Sequence, residues 1–496
     1  MGVRGFGLLF LAIKGCLPLR AQHFAQIANG HYSGVHAAKI NPAFTAYSHW
    51  NWHVNLIGAW GNVNNNYLTL RLPYSAYKFI NNGMPARYKS EQGYPTWDSS
   101  YLREKLNGRP KHVAASAMLY APSFVIRVKK NWQIGLVNDI QVQGRIAGVS
   151  ENLAHALYKE MDTAKGAFNL FIRDAGNTNK LHKMTVSANA WATIGLNISR
   201  DLALDHKRHL LTGITLKRAV GLGGAYFQSD PVTVHIINSD SVSLDKTGVR
   251  YASYGGRSAR GTGADLGIGY VYHKKEWQQA GGYKDRHTLY KYKFGLALLD
   301  VGSILYRNAD ITDISNPSTI GWRISAEQSR YQNAEPGYGL LDSVLNRLPN
   351  YKRYTENRRI GLPTRLALSA DYQIKPHWFV NAQVVQSLRS RYSIHARHAS
   401  YLMLAPRFES EWLEVSLPLL LEYDYRAFRA GASVRIGWLY LGTNSLYSFI
   451  NTRRLRDADF FIGISFGNLP GKWLERVLKE KYRNKKPNSR QDCEKL

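Results

Sequence analysis

The sequence predicts an all-β fold: a transmembrane antiparallel up-and-down β-barrel of about 14 strands (roughly 12–16) with an N-terminal luminal segment and short helical inserts. Three observations predict it. Apolar and polar residues alternate over long stretches, which is typical of strands with two different faces. The chain of 496 residues is rich in Tyr (31) and Gly (42). It also lacks an apolar run of the ~20 residues that a membrane helix needs.

The alternation is clearest over residues 186–198, where Val186, Ile194 and Ile198 share a parity opposite Ser187 and Asn197. This stretch is longer than the ~5–6 residues usual for a strand in a soluble sheet. In a bilayer the apolar face would point to lipid and the polar face to the lumen. The pattern recurs at residues 132–142, 210–217, 264–272, 292–299, 365–372, 378–388, 412–421, 428–436 and 460–466.

Connections of two very different lengths separate these stretches. Short turns are predicted at 129–131, 375–376 and 409–410, and long loops at 72–111, 147–182, 307–362 and 444–457. Barrels of the bacterial outer membrane have short periplasmic turns and longer extracellular loops. Both ends of the barrel would then be periplasmic. Aromatic residues near strand ends, such as Trp52, Trp132, Trp378, Trp412 and Trp438, fit girdles at the membrane interfaces.

The chain divides into four predicted parts. They are a signal peptide (1–21), an N-terminal luminal or plug segment (22–50), the outer-membrane barrel with its long loops (51–466) and a basic periplasmic tail helix (467–496). Arg4, the apolar stretch 5–13 and Ala21 predict export and cleavage after Ala21. Cleavage at Cys16, as in a lipoprotein, is the alternative. Shorter helices are predicted at 150–162 and 339–348, and the tail helix at 471–486.

The stretch Asn41-Pro42-Ala43 stands between the plug segment and the first predicted strand. Proline fixes φ, and an Asn side chain can hydrogen-bond to the backbone two residues on. We therefore predict that Asn41 and Pro42 form a hinge between plug and barrel.

Charged residues on the polar parities are predicted to line the lumen. Two interpretations stay open: an electrostatic constriction that selects solutes, or a structural network of salt bridges that fills the barrel. The predicted lumen-lining residues are Asp139, Arg145, Asp265, Arg365, Asp371, Arg429 and Arg435.

Enzymatic and metal sites are weakly indicated. The run "GISFG" (463–467) matches the Gly-x-Ser-x-Gly nucleophile motif, but Ser465 lies within a predicted strand, so the chain is predicted not to be an enzyme. His395, Arg397 and His398 are more consistent with a solvated turn than with a metal site. The two cysteines, Cys16 and Cys493, provide no ligand cluster. No metal and no cofactor are predicted.

The net charge of +30 is spread along the whole chain. Nucleic-acid modules usually concentrate Lys and Arg on one element, so nucleic acid is not a predicted partner. An anionic membrane surface suits this distribution better. The predicted partners are outer-membrane lipid and lipopolysaccharide, and the barrel is expected to be a monomer.

Several stretches resemble an outer-membrane β-barrel family of the Bacteroidota that is itself of unknown function. They are "SGVHAAKINPAF", "WNWHVNLIGAWGNVNNNYL", "GITLKRAVGLGGAYF", "GADLGIGYVY", "YKFGLALLDVGSILY" and "GLPTRLALSADYQI". More distantly the chain is similar to FadL-like fatty-acid transporters and to the PorV-type barrel of type IX secretion, which also carry an Asn-Pro-Ala turn. The resemblance implies an N-terminal segment folded toward the lumen and a passage for hydrophobic molecules.

The leading functional hypothesis is porin-like or transporter-like passage of small molecules, hydrophobic ones included, across the bacterial outer membrane. The alternative is a non-transporting accessory or structural barrel of a protein-secretion or surface-attachment system, whose loops bind a partner protein. A surface lipase is the third and weakest hypothesis.

Overall fold

The computed structural model describes residues 25–74, 85–90, 98–129, 131–162, 178–238, 241–245, 247–256, 259–274, 290–316, 320–323, 350–450, 454–455 and 457–468. The predicted signal peptide, the helix predicted at 339–348 and the tail helix predicted at 471–486 lie outside these residues.

Fourteen antiparallel strands form one sheet. In chain order they are β1 (Trp52–Asn65), β2 (Lys111–Tyr120 and Ser123–Lys129), β3 (Trp132–Val149), β4 (Met184–Ala203), β5 (Arg208–Ser229), β6 (Thr247–Gly255 and Arg260–His273), β7 (Tyr290–Asn316), β8 (Asn350–Gly361 and Arg365–Lys375), β9 (Trp378–Ser387), β10 (Tyr401–Glu409), β11 (Leu413–Ser416 and Leu419–Glu422), β12 (Ala427–Ala430 and Ala432–Ile436), β13 (Leu439–Thr443) and β14 (Ala458–Asn468).

The sheet closes on itself because its first and last strands pair. β1 and β14 run antiparallel from Trp52↔Asn468 to Val63↔Ala458, with a bulge between Asn55 and Ile57. β1 also pairs with β2 on its other side. Closure gives every barrel strand two neighbours, which a sheet in hydrocarbon requires to satisfy its backbone groups. The prediction of a closed barrel of about 14 strands is therefore confirmed.

The wall has an apolar outer face and a polar inner face. On β4, Ile194 and Leu196 are 57% and 45% exposed, whereas Thr193 and Asn197 are buried. This arrangement is the reverse of a soluble protein and is that of a barrel in lipid. Other apolar side chains exposed on the outside are Leu216, Ile268, Phe294, Leu368 and Leu404.

Short helices and two small sheets complete the described structure. The helices are α1 (Ala25–Ala28), α2 (Glu151–Asp162) and α3 (Leu446–Ile450), with 3₁₀ turns at Gly34–Lys39, Pro42–Tyr47, Ala86–Tyr88 and Ser99–Tyr101. One small sheet contains Leu68–Arg71, Leu102–Glu104 and Arg454–Leu455, and the other contains Thr178–Leu181, Val232–Asn238, Ser241–Leu244 and Ile320–Arg323. The helix predicted at 150–162 is found as α2.

None of the helices in the described part of the chain is both long and apolar enough to cross a membrane.

Strands β7 and β8 extend farther than the alternation predicts. The long loop predicted at 307–362 is wrong at both ends, because β7 continues to Asn316 and pairs with the β8 segment that begins at Asn350. Most residues of that β8 segment are exposed and many are charged. Beyond the bilayer both faces of a hairpin meet water, so the apolar–polar alternation that marks the membrane strands is lost there.

The wall is irregular at one level of β6, β7 and β8. The β6–β7 register shifts between Ala264 and Leu266, and Asp300 of β7 has φ 54°. In β8 the pairing is interrupted before Arg365, and the Thr364 hydroxyl donates to the Asp300 carbonyl over 2.9 Å. This kink places two carboxylates, Asp265 and Asp300, in the lumen.

Candidate functional site: a plugged lumen

Residues 26–50, here called the plug, lie inside the barrel. Apart from three half-buried residues, every side chain of the plug is buried. Asn29 Nδ2 donates to Gln383 of β9 over 3.2 Å, and Thr45 Oγ1 lies 2.7 Å from Ser199 Oγ of β4. These two strands belong to different sides of the barrel, so the plug spans the lumen.

Asn41 joins the turn of the plug to the wall. Its backbone is extended, and Pro42 begins the 3₁₀ turn that follows. Asn41 Oδ1 accepts from the Ala43 amide over 2.9 Å, while Nδ2 donates to the carbonyls of Ile268 (2.9 Å) and Leu296 (3.3 Å). The hinge at Asn41 and Pro42 stays a prediction. In this state the turn is clamped to β6 and β7, and movement of the turn would break the two bonds to the wall.

Four glycines of the wall allow the plug to approach the backbone, and we call them the glycine seat: Gly213, Gly267, Gly269 and Gly295. A Cβ on Gly267 would lie 2.1 Å from Asn41 Oδ1, and one on Gly213 would lie 2.4 Å from the Ala43 nitrogen. A Cβ on Gly295 or Gly269 would lie within 3 Å of the Phe44 ring. Only glycine fits at such contacts. In the sequence, this seat is visible only as glycines at the alternate positions of β5, β6 and β7 that face the lumen.

The substitution Gly267→Ala is expected to loosen the plug. The new methyl group would overlap Asn41, and overpacking of this kind costs ~1–3 kcal/mol. Hydrogen–deuterium exchange of residues 26–50 in the detergent-solubilised protein should therefore become faster. Gly144→Ala is the matched control, because a Cβ there meets no atom within 4 Å. Equal exchange in both variants would contradict the proposed role of the glycine seat.

One cluster of buried charges lies at the kink in the wall. Lys217 Nζ is 2.7 Å from Asp265 Oδ2 and 2.5 Å from Asp300 Oδ1, and Arg365 Nη1 is 2.7 Å from Asp300 Oδ2. Arg365 Nη2 also donates to the plug, at the Lys39 carbonyl over 3.4 Å. The structure thus brings together two predicted lumen residues, Asp265 and Arg365. It adds Lys217 and Asp300, which are not among the residues predicted from the sequence.

A second cluster joins β8 and β10. Arg407 donates to Asp371 Oδ2 and to Glu409 Oε2, each over 2.8 Å, and all three side chains are almost completely buried. Glu409 also contacts His31 of the plug. Lys293 Nζ donates to the Asn29 carbonyl of the plug over 2.9 Å. Asp371 was predicted to face the lumen, whereas Arg407 and Glu409 were missed.

The remaining predicted lumen residues have partners of their own, outside these two clusters. Asp139 contacts Lys39 of the plug. Arg429 is 2.9 Å from Asp457 and 3.4 Å from Glu422, and Arg435 is 3.3 Å from Glu414. Arg145 donates to the Ser393 carbonyl. Six of the seven predicted residues therefore meet an opposite charge in a filled lumen. Arg145 instead meets a carbonyl.

A second segment enters the lumen from the end that carries the long loops, and we call it the inner loop (389–400). Thr185 Oγ1 of β4 donates to the Tyr392 carbonyl over 3.1 Å, and Asn189 Nδ2 donates to the Ile394 carbonyl over 3.2 Å. The inner loop leaves β9 and crosses to β3, β4 and β5. His395 accepts from the Gly361 amide over 3.1 Å, and Arg397 lies 2.5 Å from Asp424. The basic group 395–398 is thus part of a luminal loop and not a solvated turn.

His36 of the plug is packed among aromatic rings. The rings of His53, Tyr120 and Tyr440 lie 4.8–5.5 Å away, centroid to centroid. Burial, and then the charges of His53, Lys39 and Arg435, lower the pKa of His36 well below its usual value of 6.5. His36 is therefore neutral in the docked plug.

Acidification is expected to weaken docking of the plug. A released plug would bind a proton at His36 below about pH 6.5, whereas the docked plug would not, so the contribution of His36 to the docking free energy falls by up to ~1.4 kcal/mol per pH unit. Hydrogen exchange of residues 26–50 should be faster at about pH 5 than at about pH 7.5. The variant His36→Phe keeps an aromatic ring without the titration and should show a smaller pH effect. The same effect in wild type and variant would contradict the assignment to His36.

The other candidate sites of the sequence are located as follows. Ser465 is buried in the middle of β14 and pairs with Asn55 of β1, so no strand-to-helix turn presents its hydroxyl. Across the residues that the structure describes, there is no group of three or more His, Cys, Asp or Glu side chains placed to hold a metal ion.

The fold and the lumen define a class: an outer-membrane-type β-barrel whose lumen is filled by its own N-terminal segment and by an inner loop. Within that class the chain belongs to DUF5723, a family of unknown function whose sequence profile matches residues 42–444. The predicted membership of a barrel family of unknown function is confirmed. No curated protein matches the sequence.

Several solved structures are similar to this chain. A deletion mutant of TodX, described as a monoaromatic hydrocarbon channel, is 10% identical with a TM-score of 0.41, covering 88% of this chain and 95% of TodX. The toluene transporter TbuX of Ralstonia pickettii is 8% identical, with a TM-score of 0.38 and coverages of 89% and 97%. A FadL homologue of Pseudomonas aeruginosa is 12% identical, with a TM-score of 0.38 and coverages of 90% and 98%.

Proposed function

We propose that this protein lets small molecules cross the outer membrane through its barrel lumen, and that the plug moves to open the path. The observation that carries this proposal is how the plug is held. Its backbone hydrogen bonds, such as His36 N to Ser33 O and Phe44 N to Asn41 O, join residues of the plug to one another. Its links to the wall described above run through side chains. The plug can therefore leave while the strand ladders of the barrel stay intact.

The finer proposal, passage of a hydrophobic molecule, is supported by an apolar groove on the outside of the wall. The groove has a volume of about 490 Å³ and is lined by Ile268, Phe294, Leu368 and Leu402, among others. Gly269 and Gly295 belong both to this groove and to the glycine seat. At this point only the backbone of the wall separates the plug from lipid.

Reconstitution of the purified barrel tests the proposal. Proteoliposomes should take up small solutes faster than empty liposomes, and planar bilayers should show discrete openings whose frequency rises when mild urea loosens the plug. A set that includes a neutral sugar and an aromatic hydrocarbon would distinguish a general pore from a hydrophobic path. Silent bilayers and liposomes, together with partner proteins that co-purify, would contradict passage and favour the accessory role.

One observation favours that second candidate, an accessory barrel of a secretion or surface-attachment system. Three separate inter-strand connections contribute to the four-stranded sheet that contains Val232–Asn238 at the loop end. Ile237 of this sheet is 60% exposed. An ordered sheet outside the barrel is a suitable surface for a partner protein, and cross-linking from position 237 in intact cells would identify one.

A further inference from the structure

A cavity of about 600 Å³ lies at the loop end of the barrel, and we call it the basic cavity. Its walls are the inner loop, the loop-end parts of β1, β2 and β3, the segment 105–110 before β2, and the turn between β11 and β12. Among its described lining residues are seven Lys and Arg side chains and a single carboxylate, that of Asp424. The lining of the basic cavity therefore has a strong excess of positive charge.

Three of the cations already have acidic partners. Arg391 and Arg397 share Asp424, at 3.1 Å and 2.5 Å. Lys111 is 2.5 Å from Glu151 of α2, outside the lining, and also donates to the Lys105 carbonyl over 2.7 Å. These pairs fix the shape of the basic cavity, and they leave its charge strongly positive.

Four further cations line the basic cavity. Lys105, Arg109 and Arg426 have exposed side chains, so they can move onto a ligand. Arg145 is held by its bond to Ser393, and its Nε is buried without a hydrogen-bond partner. A buried guanidinium donor without a partner is unfavourable, which indicates that an acceptor belongs beside it.

The chemistry of these groups specifies the ligand. Guanidinium forks bind phosphoryl and carboxylate groups through two parallel hydrogen bonds. A cluster of like charge in a concave wall raises the local concentration of counter-ions. The side chain of Asn64 also lines the cavity, and its Oδ1 is buried without a partner. An amide oxygen accepts hydrogen bonds, so this atom suits a hydroxyl group of an organic anion.

We infer that the basic cavity binds a small polyanion that carries two or more phosphoryl or carboxylate groups. The inference rests on the proposed function only where it treats the bound anion as a solute on its way into the lumen. Binding itself requires no passage. Phosphoryl groups could come from a free solute or from the phosphates of lipopolysaccharide, and the two sources are separated in the test.

The test is a calorimetric titration of inorganic pyrophosphate into the full-length protein in phosphatidylcholine nanodiscs. Saturable binding is expected. The triple variant Lys105→Gln, Arg109→Gln, Arg426→Gln should bind about tenfold or more weakly, because three charge-assisted contacts are lost. Arg145→Gln should also weaken binding. The matched control is Arg103→Gln, Lys352→Gln, Arg353→Gln, which removes three exposed charges outside the lining of the basic cavity and should bind like wild type.

Two results would overturn the inference. One is the absence of saturable binding. The other is equal weakening in both triple variants, which would mean a general electrostatic field and not a site. Adding phosphorylated lipid A to the nanodiscs decides the source: competition with pyrophosphate assigns the site to a lipid phosphate, and unchanged affinity assigns it to a free solute. Loss of liposome uptake with intact pyrophosphate binding would reject passage while the site stands.

Discussion

Tethering the plug to the wall is expected to abolish passage. The hydroxyl oxygens of Thr45 and Ser199 lie 2.7 Å apart, so cysteines at both positions would place their sulfurs close to the ~2.0 Å of a disulfide. With Cys16 and Cys493 replaced by Ser, the oxidised Thr45→Cys, Ser199→Cys protein should reduce uptake into proteoliposomes to the level of empty liposomes. Reduction of the disulfide should restore uptake in the same sample.

The control for this tether is a second disulfide that does not involve the plug. Leu196 and Leu216 are cross-strand partners of β4 and β5 with exposed side chains on the outer face. The Leu196→Cys, Leu216→Cys protein should take up solute equally well when oxidised or reduced. If uptake is undiminished while the disulfide between positions 45 and 199 is formed, the path does not require the plug to move away from β4.

Among the substitutions proposed for this protein, removal of the Asp300 charge at the wall kink is expected to lower the free energy of unfolding most. Asp300 bonds with both Lys217 and Arg365, and its side chain is 6% exposed. Asp300→Asn would remove the carboxylate that pairs with both Lys217 and Arg365, two buried cations. Breaking a buried ion pair in this way costs ~3–5 kcal/mol. Asparagine tolerates the left-handed backbone conformation at φ 54°, so the effect would come from the charge and not from the backbone.

Unfolding in urea, followed by the heat-modifiable migration of the barrel on gels, measures this loss. The control is Asp310→Asn on the same strand, because Asp310 is exposed and surface changes usually stay within ~0.5 kcal/mol. A folded Asp300→Asn protein with the midpoint of the control would show that the cluster contributes little to the barrel.

The barrel could be predicted because its strands face two different media. Because lipid lies outside and polar groups lie inside, apolar and polar residues alternate along each strand. Ile194, which faces outward, and Asn197, which faces inward, are examples. The parity rule identifies which residues face inward, as for Asp265 and Asp371. It cannot identify their partners, because Lys217 and Asp300 reach Asp265 from neighbouring strands whose register the alternation does not determine.

The path of the inner loop could not be predicted for a related reason. Residues 389–400 carry no periodicity, and they hold their position through bonds from Thr185 and Asn189, roughly 200 residues earlier in the chain. The glycine seat was visible only as glycine on one parity. Its role becomes clear only in the structure, where Asn41 and Phe44 of the plug pack against the backbone of β5, β6 and β7.

The position of the plug also has a consequence for how the barrel is assembled. The seam joins β1 to β14, segments about 400 residues apart, and bringing such distant segments together carries a large entropy of loop closure. The plug ends immediately before β1, and it rests on β5, β6 and β7 at the opposite side of the lumen. If those strands form first, docking of the plug would tether β1 across the nascent barrel and hold it in place for its final partner. The plug would in this sense serve as an internal scaffold for closing the cylinder.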